Sequence, residues 1–246
     1  MNNRNLKLTL QYDGTDFHGF QIQPVAVTVQ KCIEDALCAI TSEDIKINGC
    51  SRTDAGVHAV KYVCSFFTAF PIPAERLPIV LNHKLPDSIK ALECCEVTDE
   101  FHARFDTSSK IYRYIINTDV NPNVFSRNYE WQLRKALDVE KMQSAAKYIE
   151  GEHDFKCFMS AGGSVQSTVR TVYSVKLVSD DSRVVMYIKA NGYLYNMVRI
   201  ITGTLVNVGL GIFSPEYVKE IIESKLREKA GPTAPPQGLY LYDVQY

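Results

Sequence analysis

The chain has 246 residues, of which 46% are hydrophobic and 22% charged, and its formal net charge is −1. This composition excludes a disordered chain and allows one large domain, or two closely joined subdomains, with a sizeable core. The weak net charge argues mildly against a nucleic-acid partner, although the placement of charge matters more than its sum.

In chain order, Leu6, Leu8, Leu10 and Tyr12 alternate with polar residues, the period of a half-buried strand. Asp13-Gly14 then signals a turn. Thr28 is a good N-cap for an amphipathic helix with Val29, Cys32, Ile33, Ala36, Leu37 and Ile40 on one face. Residues 45–50 and 59–68 read as strands on either side of a polar loop. A short helix near 74–83 and a strand near 88–97 follow, then a strand from Ile111 to Asn117. Asp138 caps a helix carrying Val139, Met142, Ala145, Ala146 and Ile149, with Gly151 just past its end. Residues 169–178 and 183–190 read as paired strands about the turn Asp180-Asp181-Ser182. A helix over 194–208 stops at Gly209-Leu210-Gly211, which lacks the further glycine of a dinucleotide loop. Ser214-Pro215-Glu216 opens another helix, with Ser214 as N-cap and Pro215 at its first position. Lys219, Glu220, Glu223, Lys225, Arg227, Glu228 and Lys229 read as a solvated face, and Leu239–Tyr246 as a last strand.

Each half therefore reads strand, helix, strand, strand, with further helix and strand after. The expected fold is α+β: two similar subdomains, 1–106 and 107–246, sharing a mainly antiparallel sheet with helices packed on it. Seven cysteines, an odd number with no C-x-x-C, read as buried thiols. His58, His83, His102 and His153 show no metal-ligand spacing. No apolar run approaches the roughly 18 residues of a membrane span, and no signal-like segment follows Met1. A cytoplasmic protein is expected.

The loop from Gly49 to Ala59 stands out because it packs Arg52, Asp54 and His58 into seven positions between two strands. Loops held by a sheet are where sites concentrate. A carboxylate there can act as nucleophile or base, or it can simply bond its own turn. Arg104, Lys110, Arg113, Arg127, Arg134 and Lys135 outnumber Asp106, Asp119 and Glu130 between residues 104 and 135, so that stretch is locally basic.

Ser51-Arg52-Thr53-Asp54-Ala55-Gly56-Val57-His58-Ala59 resembles the signature G-R-T-D-A-G-V-H-A of the tRNA pseudouridine synthase A (TruA) family. The likeness extends along nearly the whole chain and in the family's order. It includes Tyr12-Asp13-Gly14-Thr15 with Phe17, Gly19-Phe20-Gln21 and Gln23, then Thr28-Val29-Gln30, and Leu81-Asn82 with Leu85-Pro86. Phe101-His102-Ala103-Arg104-Phe105, Tyr112-Arg113-Tyr114, Gly151 with His153-Asp154-Phe155 and Phe158, and Val169-Arg170-Thr171 follow. Asn191–Arg199 and Ala234-Pro235 with Gly238-Leu239-Tyr240-Leu241, Val244 and Tyr246 complete it.

The resemblance implies a pseudouridine synthase fold and a cofactor-free isomerisation of uridine in tRNA, at positions 38, 39 and 40 of the anticodon stem-loop. The bond from uracil N1 to ribose C1′ breaks, the base turns while bound, and C5 takes its place. Asp54 is the implied catalytic aspartate, acting either by covalent attack or by abstracting a sugar proton. Arg199 is the implied cation that favours the ionised carboxylate in a desolvated site. Tyr112 is the implied active-site tyrosine, stacked on the uracil. The target must be flipped from its stack, and Arg52 would fill the space and meet phosphate. His58 and Arg104 complete the implied substrate contacts. His58 and His102 have no evident proton to move, and hydrogen bonding within the fold suits both. A homodimer is also implied, with one tRNA across two half-grooves.

Two residues depart from the family pattern. Ser51 replaces a usual glycine, which implies a tighter loop, and Ile22 replaces a common aromatic. Two other functions compete. A non-catalytic RNA-binding protein would not need the carboxylate. A nucleoside hydrolase would need a second acid, for which Asp13, Asp16 and Asp154 are the candidates.

Overall fold

The computed structural model describes residues 3–163, 165–180 and 182–246. It is α+β and forms two compact units, one running to Ser108 and including Tyr240–Tyr246, the other Ser109–Leu239. The final residues thus belong with the first unit, whereas the sequence reading kept them in the second.

The first unit opens with β1 (Arg4–Tyr12), where Leu6, Leu8 and Leu10 are 0% exposed. Removing each from water contributes about 1.5–3 kcal/mol. The strand is more enclosed than its alternation predicts, because Asn5 and Thr9 on the other face are buried too. Thr9 Oγ1 donates to Glu93, and Asn5 Nδ2 donates to the Thr98 and Phe101 carbonyls, while Asn5 Oδ1 is buried with no hydrogen-bond partner among the described residues. Helix α1 (Val29–Thr41) starts as expected, with Thr28 Oγ1 accepting from the Lys31 N–H. It buries Val29, Ile33, Ala36 and Leu37, while Cys32 and Ile40 are half-buried.

The strand expected at 45–50 shrinks to β2 (Asn48–Gly49). The cause is buried Glu34, whose carboxylate takes the Ile47 N–H at 3.1 Å, so that backbone group bonds a helix side chain rather than a strand. After β2 come β3 (His58–Thr68), a 3-10 turn into α2 (Leu77–Asn82), and β4 (Ile89–Val97). Within this unit β1 pairs antiparallel with both β3 and β4, and β2 pairs antiparallel with β3.

The second unit begins with β5 (Ser109–Asn117), and β6 (Trp131–Gln132) pairs parallel with its end. Helix α3 (Val139–Ala146) is capped by Asp138, which accepts from the Lys141 N–H at 3.0 Å. It is shorter than expected: the chain leaves it through tight turns, Tyr148 N–H to Ala145 and Ile149 N–H to Ala146. Gly151 then starts β7 (Gly151–Asp154), a strand the sequence reading did not anticipate. The hairpin β8 (Val169–Asp180) and β9 (Arg183–Ala190) is as expected, with Asp181 of its turn outside the described residues. Strands β5, β9, β8 and β7 pair in that order, all antiparallel.

Helix α4 (Met197–Gly209) is buried along almost its whole length. Helix α5 (Tyr217–Ser224) starts later than the Ser-Pro-Glu signal. Ser214 is not its N-cap and Pro215 is not inside it; their carbonyls take the Tyr217 and Val218 N–H groups in a tighter lead-in turn. Arg227 also leaves the expected solvated face, donating to the Gly231 carbonyl at 3.0 Å and to Thr233 Oγ1 at 3.2 Å. The last strand, β10 (Leu239–Gln245), pairs parallel with β3 through Tyr240–His58 and Leu241–Ala59. Among the described residues no helix is long and apolar enough to cross a membrane. All seven cysteines are free thiols; Cys50, Cys64, Cys94 and Cys157 are buried, whereas Cys38 and Cys95 are exposed, contrary to the reading of them as core residues.

Candidate active site

Residues 50–57 connect β2 to β3. The loop is closed at its ends by Cys50 N–H to Val63 O (2.9 Å) and Val57 N–H to Asp54 O (3.2 Å). Gly56 supplies its left-handed turn, with φ +75°. Between these points two tyrosines hold it. The Tyr12 hydroxyl lies 2.7 Å from Thr53 Oγ1, and the Tyr62 hydroxyl donates to the Ser51 carbonyl. Burial keeps Tyr62 well above the usual phenol range, so it stays protonated as a donor. Exposure then varies residue by residue: Arg52 is exposed, Thr53 buried and Asp54 half-buried. The carboxylate is neither sealed in the core nor fully in water.

The opening motif of the chain packs against this loop. Phe20 N–H donates to the Thr53 carbonyl at 3.1 Å and Gly56 N–H to the Phe17 carbonyl at 3.3 Å. Gly14 fits because a Cβ there would lie 2.0 Å from the Val57 carbonyl oxygen. Its N–H donates to His58 Nδ1 at 3.0 Å, and that nitrogen lies 3.1 Å from Asp13 Oδ1. His58 is only 2% exposed and stacks on Tyr240 at 4.7 Å. These contacts make it a strut between the opening motif and β3, in line with the hydrogen-bonding role also read for it from the sequence. His102 is also structural, its Nδ1 accepting the Arg104 N–H at 3.1 Å. Arg104 itself is exposed, its guanidinium 5.5 Å from the ring of Phe105, which is 72% exposed.

The second unit carries the other two expected residues. Tyr112, on β5, is buried and meets Tyr193 edge-on at 4.9 Å. The Tyr193 hydroxyl shares its one proton between the Ile188 and Lys110 carbonyls, at 2.8 and 3.0 Å, and burial, with Tyr112 beside it, raises it well above the usual phenol range. Arg199 sits in the first turn of α4, half-buried. Its Nε donates to the Ala234 carbonyl at 2.7 Å and its Nη1 to Asn196 Oδ1 at 2.8 Å. Asn196 is left-handed, with φ +62°, and also bonds Ser160. Tyr114 donates to the adjacent Pro235 carbonyl at 2.6 Å. Asn196, Ala234 and Tyr193 were not singled out as functional by the sequence. The signal available was their place in the Asn191–Arg199 and Ala234-Pro235 motifs, read there only as likeness.

Charge placement sharpens too. Glu130 is buried and spends its carboxylate on Arg183 (2.6 Å) and Asn117 (2.9 Å), so it does not offset exposed Arg127, Arg134 and Lys135 at the surface. Two of the three acids a hydrolase would recruit are engaged in local bonds, while Asp16 is exposed. Asp13 caps its own turn through Thr15, and Asp154 takes the Thr168 hydroxyl, the Lys156 N–H and the Lys225 ammonium.

A family profile described as tRNA pseudouridine synthase matches residues 9–106 and 145–246. The "tRNA pseudouridine synthase A 2" of Clostridium perfringens is 46% identical over 243 residues, covering 99% of this chain and 100% of the relative. At the same coverage the "tRNA pseudouridine synthase A" of Brevibacillus brevis is 49% identical, and that of Clostridium acetobutylicum 47%. The profile spans both units, and these relatives match end to end, so the chain belongs to the tRNA pseudouridine synthase family.

Proposed function

We propose that the chain isomerises uridine to pseudouridine in the anticodon stem-loop of tRNA, at positions 38, 39 and 40, with Asp54 as its catalytic carboxylate. Family membership supplies the reaction: the N1–C1′ bond breaks, a C5–C1′ bond forms, C5 loses a proton and N1 gains one, with no net redox change. The observation that carries the assignment is the loop itself, in which buried Thr53 is pinned while Asp54 keeps partial access to solvent. A reacting group needs a fixed position more than a flexible one.

The other roles follow from chemistry. Exposed Arg52 suits a phosphate contact and the space left by a flipped base. Tyr112 serves to stack on uracil and help move the C5 proton, and Arg199 serves as a fixed cation. Exposed Arg104, Arg127, Arg134 and Lys135 favour the RNA backbone, so tRNA affinity falls as salt rises, and Arg104→Ala lowers that salt slope by about one. The working form is a homodimer carrying one tRNA across both subunits. A cytoplasmic setting fits seven free thiols, since a reducing compartment keeps them so.

The test uses purified protein and an unmodified tRNA with uridines at 38 to 40, with pseudouridine mapped by carbodiimide modification and primer extension. Stops at those positions that disappear with Asp54→Ala support the reading. Stops elsewhere keep the reaction and move the target. None on any tRNA, with binding intact, favours a non-catalytic RNA-binding protein.

A further inference from the structure

We infer that Tyr12 and Tyr62 are positioning residues for Asp54, clamping Thr53 and Ser51 so that the residues between and after them, Arg52 and Asp54, are held in one working geometry. The inference rests on Asp54 being the catalytic carboxylate. Both rings belong to the core: Tyr12 is 4% and Tyr62 0% exposed, and they meet at 5.6 Å between centroids. Phe20, whose N–H holds the Thr53 carbonyl, stacks on Tyr62 at 4.4 Å. Their hydroxyls leave the core at two points two residues apart on the same loop. The two grips are chemically different. Tyr62 grips backbone, a carbonyl that every residue supplies. Tyr12 grips a side chain, so position 53 needs a hydroxyl.

A packing role alone would be met by phenylalanine at either tyrosine and by valine at Thr53, which has nearly the same shape. The hydroxyls add direction. Without them the loop keeps its end bonds and its fold, but the segment carrying Arg52 and Asp54 gains freedom to shift. A displacement of about 1 Å at a reacting group costs on the order of a hundredfold in rate. Substrate binding spread over many phosphates would hardly register the same shift.

The experiment compares Tyr12→Phe, Tyr62→Phe, Thr53→Val and Thr53→Ser with the wild type on an unmodified tRNA transcript. Single-turnover rate, tRNA Kd and Tm are measured, with rates taken well below each Tm. Tyr12→Phe and Thr53→Val are each expected to lower the rate about 10- to 100-fold while Kd stays within about twofold. Thr53→Ser, which keeps the hydroxyl, restores most of the rate. Tyr12→Phe combined with Thr53→Val is no slower than the slower single variant, because both remove one bond. Wild-type rates in folded Tyr12→Phe and Thr53→Val overturn the inference. So does a Thr53→Ser variant as slow as Thr53→Val, a comparison that stands even if a tyrosine variant fails to fold. Asp54→Ala run alongside separates the two layers. Turnover by Asp54→Ala overturns the reading beneath, whereas a dead Asp54→Ala beside fully active Tyr12→Phe sinks the clamp alone.

Discussion

Gly19→Ala tests whether the backbone of the opening motif governs the proposed catalytic Asp54. Gly19 has φ +86°, and a Cβ there would lie 2.7 Å from the Thr53 carbonyl oxygen, closer than real Cβ contacts come. The left-handed conformation alone costs an L-residue about 1–2 kcal/mol. Pushing the Thr53 carbonyl away also weakens its bond from the Phe20 N–H, now 3.1 Å, by about 0.5–1.5 kcal/mol. Together these predict a loss of about 1.5–3.5 kcal/mol, a fall in Tm of roughly 3–14 °C for a chain of this size. The carbonyl that moves belongs to the residue before Asp54, so kcat falls about 10- to 100-fold as well. Calorimetry reads the first effect and single-turnover pseudouridine formation, measured well below Tm, reads the second. A variant with lowered Tm and wild-type kcat would show that the Thr53 carbonyl does not govern Asp54. A variant with both values unchanged would refute the backbone argument itself.

Thr28→Ala removes the N-cap of α1 and is expected to cost about 1 kcal/mol, read as a Tm lower by ~2–4 °C. Asp154 is held below the ordinary carboxylate range, chiefly by the Thr168 hydroxyl and then by Lys225 and the Lys156 N–H. Its contribution is therefore present above the unfolded value, about pH 4, and lost as pH falls through the depressed folded value; Tm measured from pH 6 downward declines less steeply in Asp154→Asn than in wild type. A thiol reagent at neutral pH labels Cys38 and Cys95 first, because burial hides Cys64 and pushes Cys94 and Cys157 up to about 12; peptide mapping that found Cys64 or Cys157 among the first modified would contradict this. Ser51→Gly leaves kcat and Kd at wild-type levels in the same tRNA assay.

Strong local signals were legible in the sequence. Thr28 and Asp138 cap helices because a side-chain oxygen can reach an N–H three residues on. The leucines of β1 and the hairpin of β8 and β9 follow periods that burial enforces. What escaped were features set by partners distant in sequence. Residues 45–47 look like strand, but Glu34 claims the Ile47 N–H. Helix α5 has a good start signal, yet its first carbonyls are used in a tighter turn. At the candidate site, Asp54 was legible as a carboxylate in a polar loop, and only likeness to a family gave it a role. His58 was an implied substrate contact from its place in the motif, with hydrogen bonding within the fold as the other reading. Its burial against Tyr240 is decided by β10, nearly two hundred residues later in the chain.

The departure at Ser51 shows how a family motif separates into parts with different physical demands. A glycine is required where the backbone is left-handed or where a Cβ has no room. Within residues 50–57 the left-handed position is Gly56, and Ser51 is not among the non-glycine residues of positive φ. The loop holds position 51 by its carbonyl, through Tyr62, and a carbonyl is common to every residue. Position 53 is held by its hydroxyl and position 56 by its φ, so neither is interchangeable in this way. Ser51 therefore needs no left-handed backbone, and its carbonyl is held as a glycine's would be. Ile22, 40% exposed on the segment just after Gly19-Phe20, is the departure whose side chain reaches solvent.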